Sequence, residues 1–420
     1  MSRKRSEPGG SWPVNENWKM IVIRWIFLAI AGTSLIAWLG LVFGRYSYWK
    51  TKEKLTPEEE YGPSGEWPSV SAVIPARDEA KVLPETLPSV LNQDYPGELK
   101  IVFVDDDSED GTAGVARDLG QRTDSEDRLE IVNGDPTPEG WSGKVWALQQ
   151  GYERAQALNP DLIWLTDADI NHASAALKKL TSKLVSEELD LVSIMADLRT
   201  DTSWERLLIP SFVYFFKSLY PFSRVNDPET DLAAAAGGCI LVRSSALDDV
   251  DGFRRLRDAI IDDCSLARAL KDEGKKLWLG LSHMSKSYRS YGNLGEIWKT
   301  ISRSAFSQLN YSPLLLFGTV IGMVFLFLAP PAGLALGLTG LANGVCGLSS
   351  PYSLVLTLLG GFAWLVQALS FQPILSWYGL SPYYGLLAPL GGFLYTLMTV
   401  DSAISWWTGR GSRWKGRRYG

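Results

Sequence analysis

VDDDSEDGT (Val104–Thr112) and LTDAD (Leu165–Asp169) decide the reading of this chain. Each is an apolar run that breaks into clustered carboxylates. Continuous apolar runs are how buried parallel strands read, and open α/β sheets bind ligands at the carboxyl ends of such strands. Acids gathered at one strand end repel one another unless something positive binds there. A divalent cation carrying a diphosphate suits the position, because hard cations take carboxylate oxygens and keep places open for substrate phosphates.

Working outward, SVSAVIPARDE (Ser69–Glu79) reads as a first strand with the loop leaving it. LKIVFV (Leu99–Val104) is the second strand, LEIVNG (Leu129–Gly134) the third and LIWL (Leu162–Leu165) the fourth. LDLVSIMA (Leu189–Ala196) and GGCILV (Gly237–Val242) follow as later strands. Between them Leu83–Leu91 and Lys144–Ala157 have helical spacing, and IIDDC (Ile260–Cys264) precedes an amphipathic helix over Ser265–Asp272. Strands alternating with helices predict an α/β domain with a mostly parallel sheet.

Long apolar segments bracket that domain. Met20–Phe43 is long enough to span a bilayer and lacks a compact signal-peptide core, so it reads as a retained anchor. Pro313–Leu348, Tyr352–Phe371 and Tyr384–Trp407 are further membrane candidates. Pro330-Pro331 sits in the middle of the first of these, where proline disrupts a helix. The expectation is therefore a hairpin there, giving five spans; the alternative is one long helix and four. Five spans place the basic tail, with Arg410, Arg413, Lys415, Arg417 and Arg418, on the side of the acidic domain, as the positive-inside rule prefers. The expected organisation is a tail over 1–19, an anchor over 20–44 and a linker over 45–68. A cytoplasmic catalytic domain follows over 69–312, then three or four spans over 313–408 and a basic tail over 409–420.

Composition narrows the function. A formal net charge of −6 over 420 residues argues against a nucleic-acid partner, which would call for a basic face. The three cysteines, Cys239, Cys264 and Cys346, lie far apart and imply neither a disulfide framework nor a zinc site. With only His172 and His283 available, acid–base work falls to carboxylates. In LTDAD, alternation along an extended segment puts Asp167 and Asp169 on the same side, facing one metal–diphosphate group. The competing reading is a helix cap by Asp169 or Asn171 for a helix beginning near Ala173. Lys144, in a Gly-containing turn before a helix, is placed to meet a phosphate, or else is a solvated lysine. Leu207–Phe222 is aromatic but broken by Pro210, Lys217 and Pro221; it reads equally as an interfacial helix or a buried core helix.

The ordered series IPARDE, VDDDSEDGT, GWSGKVWAL, LTDAD, AAGGCILV and IIDDCSLARALK resembles the membrane-bound family 2 glycosyltransferases over Val70 to Ser312. Including RSAFSQLNYS (Arg303–Ser312) and WKGRRY (Trp414–Tyr419), the chain looks closest to the hopanoid-associated glycosyltransferases of bacteria, and more distantly to ceramide glucosyltransferase. The resemblance implies a GT-A fold with N-terminal and C-terminal transmembrane helices. It implies an inverting transfer of a hexose from a UDP-sugar to a membrane lipid at the cytoplasmic face of the bacterial inner membrane, aided by Mg²⁺ or Mn²⁺. It implies Asp105 as the contact to the nucleotide base, with Asp106, Asp107 and Asp110 as turn and cap residues. Arg77 and Glu79 would shape the nucleotide pocket, with a surface ion pair as the alternative. Asp169 would be the metal ligand with Asp167 beside it on the donor, and Asp263, second acid of its pair, the general base, against a simple capping role. Of the family's Q/R-x-x-R-W signature only Arg303 is present, as a group to neutralise leaving-group charge. The missing Trp weighs against a processive polysaccharide synthase. A non-catalytic lipid-binding or scaffold protein is opposed by the retained acids.

Overall fold

The computed structural model describes residues 14–44, 46–56, 65–343, 350–409, 412–414 and 417–419. The first tail residues, part of the linker, Cys346 and much of the basic tail, including Arg410 and Lys415, lie outside the described residues. The α/β domain is built on an eight-stranded sheet ordered β3-β2-β1-β4-β7-β6-β8-β5. The strands are β1 (Val70–Ala76), β2 (Leu99–Asp105), β3 (Leu129–Asn133), β4 (Leu162–Thr166), β5 (Ile170–His172), β6 (Leu191–Asp197), β7 (Cys239–Arg243) and β8 (Leu277–Ser287). β3, β2, β1 and β4 are mutually parallel, as are β6 and β8, whereas β7 and β5 run against their neighbours. The mostly parallel sheet is as expected.

Burial explains the sequence pattern. β1 and β4 are buried at every position, so apolar residues fill both faces and alternation is lost. One core cluster packs Ile74, Phe103 and Trp164 against Leu87, Leu91 and Leu177. A second packs Val73, Val104 and Ile163 against Leu148, Leu247 and Leu270. Gly151 lets its helix approach the sheet closely, since a Cβ there would lie 2.4 Å from a Val73 methyl.

Three local differences from the sequence reading matter for the site. The segment after LTDAD forms β5, paired antiparallel to β8, so neither Asp169 nor Asn171 caps a helix. The next helix begins at Ala176, and the Asn171 side-chain amide donates to the Glu85 carbonyl instead. The helix expected from Ser265 starts at Asp262, placing Asp262 and Asp263 in its first turn, where the helix dipole favours negative charge.

Among the described residues, four helices are long and apolar enough to cross a membrane: Ile21–Gly44, Pro313–Ala342, Pro351–Trp377 and Pro382–Trp407. The expected hairpin at Pro330-Pro331 does not form. Pro313–Met323, a π-helical turn over Val324–Leu328 and Ala329–Asn343 follow one another without a break. Pro330 removes an N–H that would meet a carbonyl one turn earlier, and the N-terminal helix supplies the replacements. The Trp38 indole donates to the Leu326 carbonyl at 2.7 Å and the Ser34 hydroxyl to that of Phe325 at 3.0 Å. Proline is tolerated in apolar helices where a neighbour satisfies the freed carbonyls. The hairpin comes one segment later, where Gly333 and Gly337 meet Gly360 and Thr357.

The last helix returns to the catalytic domain. It begins beside Trp364, whose indole donates to the Leu386 carbonyl. It ends beside Phe306, whose amide donates to the Ser402 hydroxyl at 3.1 Å. Tyr311, just ahead of the Pro313 helix, stacks on Trp406. The chain therefore leaves this helix next to the start of the Pro313 helix.

The aromatic stretch resolves as a helix over Ser203–Leu219, opened by a Thr202/Glu205 capping box. Leu208, Val213, Tyr214 and Lys217 are buried between the sheet and the apolar helices, so the core reading holds for most of it. Phe215 packs on Phe327 and Tyr395, and Tyr214 stacks on Phe371. Phe216 points the other way, toward Tyr220 and Phe222.

Candidate active site

The carboxyl ends of β1 and β4, the start of the Gly143–Gln156 helix and the start of the Asp262–Asp272 helix enclose a cleft of about 820 Å³. Arg77, Glu79, Lys144, Asp167, Asp169 and Arg303 all line it, as do Asp262 and Arg289. Residues spread from 77 to 303 in the sequence thus face one volume.

Lys144 is the hub. Its ammonium lies 2.8 Å from Asp167 and 3.2 Å from Asp262. Burial opposes its charge, but the surrounding Asp167, Asp262 and Asp263 hold its pKa well above the ordinary lysine value. Lys144 therefore stays cationic, fixed against two acids from different elements. Gly237 makes room for this: a Cβ there would lie 3.2 Å from an Asp263 oxygen and 3.5 Å from the Lys144 nitrogen.

Asp167 and Asp169 leave β4 in a turn rather than an extended strand, yet both reach the cleft. Burial, with Asp167 next to it, raises the Asp169 carboxyl to about 6, against the opposing pull of Arg289. The Tyr288 amide donates to the Asp169 carbonyl at 2.7 Å, tying the turn to the end of β8. Behind the turn, buried His172 bridges the Thr166 and Ser285 hydroxyls, each at 2.8 Å, and burial lowers its pKa to about 3. His172 is a neutral structural staple.

Asp263 sits deeper than Asp262. Its two oxygens accept from the Gly237 and Cys264 amides, each at 2.7 Å. Burial, reinforced by Asp262, raises its carboxyl to about 6, with Lys144 opposing. A carboxylate held in this way is a weak acid with fixed orientation, which suits a general base working near neutral pH.

At the far wall, Arg303 comes from the Leu294–Ser304 helix. Burial and the adjacent Arg289 lower its pKa, so two guanidiniums converge on the cleft. Uncompensated positive charge facing buried acids is a place for a polyanion. Arg289 was not legible in the sequence, since a single arginine in a loop carries no pattern. Only the antiparallel pairing of β8 with β5 brings it beside Asp169.

Asp105 and Arg77 act at the cleft's edge. Asp105 ends β2, buried, and takes a hydrogen bond from the Ser108 hydroxyl. Burial raises its carboxyl despite that bond. It does not line the main cleft but lies on the neighbouring strand. Arg77 is buried rather than a surface partner, and its guanidinium donates to the Asp106 carbonyl. It fixes the loop that carries Asp105. Asp110 accepts from the Thr112 amide and hydroxyl, closing the turn ahead of a helix whose N-cap is Gly111.

The paired acids of the β4 turn fit a divalent cation. Asp169 is a half-buried carboxylate whose charge is disfavoured by burial and by Asp167, and a cation would relieve that repulsion while Asp167 and Asp169 offer hard oxygens. No group of three or more His, Cys, Asp or Glu side chains is poised to hold a metal among the described residues, so the remaining positions would fall to substrate oxygens.

Comparison with known proteins agrees with this geometry. Residues 32–420 match Glycosyl transferase family 21. The chain belongs to glycosyl transferase family 21. It is 21% identical to a beta-monoglucosyldiacylglycerol synthase of Nostoc, covering 90% of this chain and 79% of that protein. It is 29% identical to the probable glycosyltransferase YdaM of Bacillus subtilis over 164 residues, which is 39% of this chain and 37% of YdaM. In that match the chain spans little more than a third of its relative's length. Among solved structures, the mannosyltransferase PcManGT from Pyrobaculum calidifontis, in complex with GDP-Man and Mn²⁺, superposes with a TM-score of 0.52. That match is at 19% identity and covers 81% of this chain and 97% of that one. At that identity the likeness establishes the GT-A-like fold.

Proposed function

We propose that this protein is an inverting hexosyltransferase that moves a sugar from a UDP-sugar to a lipid alcohol at the membrane face. The observation that carries it is the Lys144–Asp167–Asp262 ion cluster. It joins the acid turn that suits a metal to the helix start that carries the half-buried, orientated Asp263, with apolar helices packed nearby. Both the Nostoc relative, whose name states a glucolipid product, and the resemblance to hopanoid-associated enzymes support a lipid acceptor.

Within this reading Asp167 and Asp169 hold Mg²⁺ or Mn²⁺, which supplies charge neutralisation for the diphosphate. Lys144 keeps Asp167 and Asp262 in place and adds positive charge beside the donor. Asp263 takes the proton of the acceptor hydroxyl as its oxygen bonds to the anomeric carbon. The bond from that carbon to the diphosphate breaks on the opposite face, which inverts the configuration. Arg303, with Arg289, stabilises the charge gathering on the leaving group. Asp105 and Arg77 shape the nucleotide end. The catalytic domain is cytoplasmic, where nucleotide sugars are made, and the anchor crosses a bacterial inner membrane.

The test uses the full chain in membranes supplied with labelled UDP-glucose or other UDP-hexoses, with GDP-mannose for comparison, and Mn²⁺. Label extracting into organic solvent with the lipids is expected. Label found only in water-soluble polymer would instead indicate a polysaccharide synthase.

A further inference from the structure

Behind Asp263, away from Lys144, the structure holds a second polar pair inside otherwise apolar surroundings. Tyr220, the residue ending the Ser203–Leu219 helix, donates its hydroxyl to the Gln308 side-chain oxygen at 2.9 Å. Tyr220 packs in the same apolar cluster as Cys264, the residue that follows Asp263. Gln308 follows Arg303 by one turn of chain, in a short 3-10 helix over Ser307–Leu309. A two-residue turn links the helix whose last turn carries the leaving-group arginine to the 3-10 helix that carries Gln308. Around the pair, Phe216, Ala236 and Cys264 belong to the apolar cluster that runs on through Phe222 and Tyr214 to Phe371 and Phe327 of the membrane helices.

We infer that Tyr220 and Gln308 form the subsite that receives the acceptor, binding the hydroxyl of a lipid alcohol and presenting it to Asp263. This deepens the transferase reading and rests on it. The chemistry is specific. With its proton committed to the Gln308 oxygen, Tyr220 fixes the orientation of the Gln308 amide. The Gln308 N–H groups remain to donate to the oxygen of an incoming alcohol, which leaves that alcohol's own proton free to point at Asp263. A hydrocarbon can do neither, and an ionised phosphate has no proton to give. The apolar cluster leading from the membrane helices to this pair suits a long hydrocarbon body behind that single hydroxyl. Burial holds the Tyr220 pKa above its ordinary value, so it remains a neutral donor and does not compete with Asp263 for the proton. Asp263 is then the group between the two halves of the reaction. Its Gly237-bound oxygen lies on the Lys144 side, and its other oxygen accepts from the amide of Cys264, whose side chain packs in the cluster that holds Tyr220.

The experiment compares Tyr220→Phe and Gln308→Leu with wild type, using full-length protein in vesicles containing dioleoylglycerol or ceramide. UDP-hexose and Mn²⁺ serve as donor and metal. Three quantities are read: transfer to lipid, nucleotide release to water without acceptor, and nucleotide–Mn²⁺ affinity by calorimetry. Each variant should raise the acceptor KM or lower acceptor kcat/KM by about 10-fold, the effect of one lost hydrogen bond. Nucleotide affinity and release to water should stay within about two-fold of wild type. Wild-type acceptor kinetics in both variants would overturn the subsite. So would a parallel loss of donor binding, release and transfer, which would mark the pair as structural. Failure of the underlying reading looks different: the wild type itself binds nucleotide yet labels no lipid, and the subsite falls with it.

Discussion

Lys144 and Asp167 meet at 2.8 Å across the mouth of the sheet, one from the first turn of a helix and the other from the turn after β4. Asp262 closes the same ammonium from a third element at 3.2 Å. Removing Lys144 leaves those acids and Asp263 facing one another without a counter-charge. Lys144→Ala should therefore lower kcat/KM by about 10²-fold or more. Nucleotide affinity should fall in the same variant, and restored activity in Lys144→Arg would show that the charge matters more than its shape. Wild-type donor affinity in Lys144→Ala would remove it from the donor site.

Asp169 should govern the metal requirement. Asp169→Ala is expected to weaken Mn²⁺-dependent UDP binding and to cut transfer by about 10²-fold or more. Calorimetric titration of UDP with and without Mn²⁺ reads the first effect directly. Transfer by the wild type that persists in excess chelator would overturn the assignment.

Asp263 separates binding from chemistry. Asp263→Asn keeps the shape but cannot take a proton, so UDP affinity should survive while turnover drops by about 10²- to 10⁴-fold. Because its carboxyl is raised to about 6, only the ionised form above that pH accepts the acceptor's proton. The kcat profile should lose activity as pH falls through about 6. The same shift has a stability consequence of fixed sign. A folded pKa above the unfolded one contributes stability at low pH that is lost as pH rises through about 6. Activity within a few-fold of wild type in Asp263→Asn would exclude the base role.

The tail should lie on the side of the catalytic domain. The reason is that both ends of the last apolar helix lie against that domain: Trp377, just ahead of it, stacks on His283, and Ser402 and Trp406 near its end meet Phe306 and Tyr311. A cysteine replacing Ser412 should resist an impermeant thiol reagent in intact cells and react after permeabilisation. Labelling in intact cells would falsify this topology.

Much of the site was legible before any coordinates. β1, β2 and β4 read directly from their apolar runs, because strands buried on both faces admit little else. The acids at their ends stood out for the same reason: clustered charge after a buried run has no packing role. Asp167 and Asp169 were found this way, Lys144 from the Gly-containing turn before its helix, and the three do share one cleft. β5 and β8 were missed. β5 is three residues long, and β8 mixes apolar, glycine and polar residues so that no simple period emerges. Arg289 was lost with them.

The amino-acid sequence by itself determined which segments must be buried, in sheet or in apolar helix, and which acids stand at the strand ends. Those properties follow from hydrophobicity and charge along the chain, which are local. Only the tertiary structure decided partnerships. It put the Trp38 indole on the carbonyl freed beside Pro330, which turned an expected break into one continuous helix. It set Arg289 next to Arg303, gave Asp262 to Lys144, left Asp263 to two backbone amides, and placed Tyr220 with Gln308 behind it. Each depends on hydrogen bonds and fields between residues distant in sequence, and these exist only once the chain has folded.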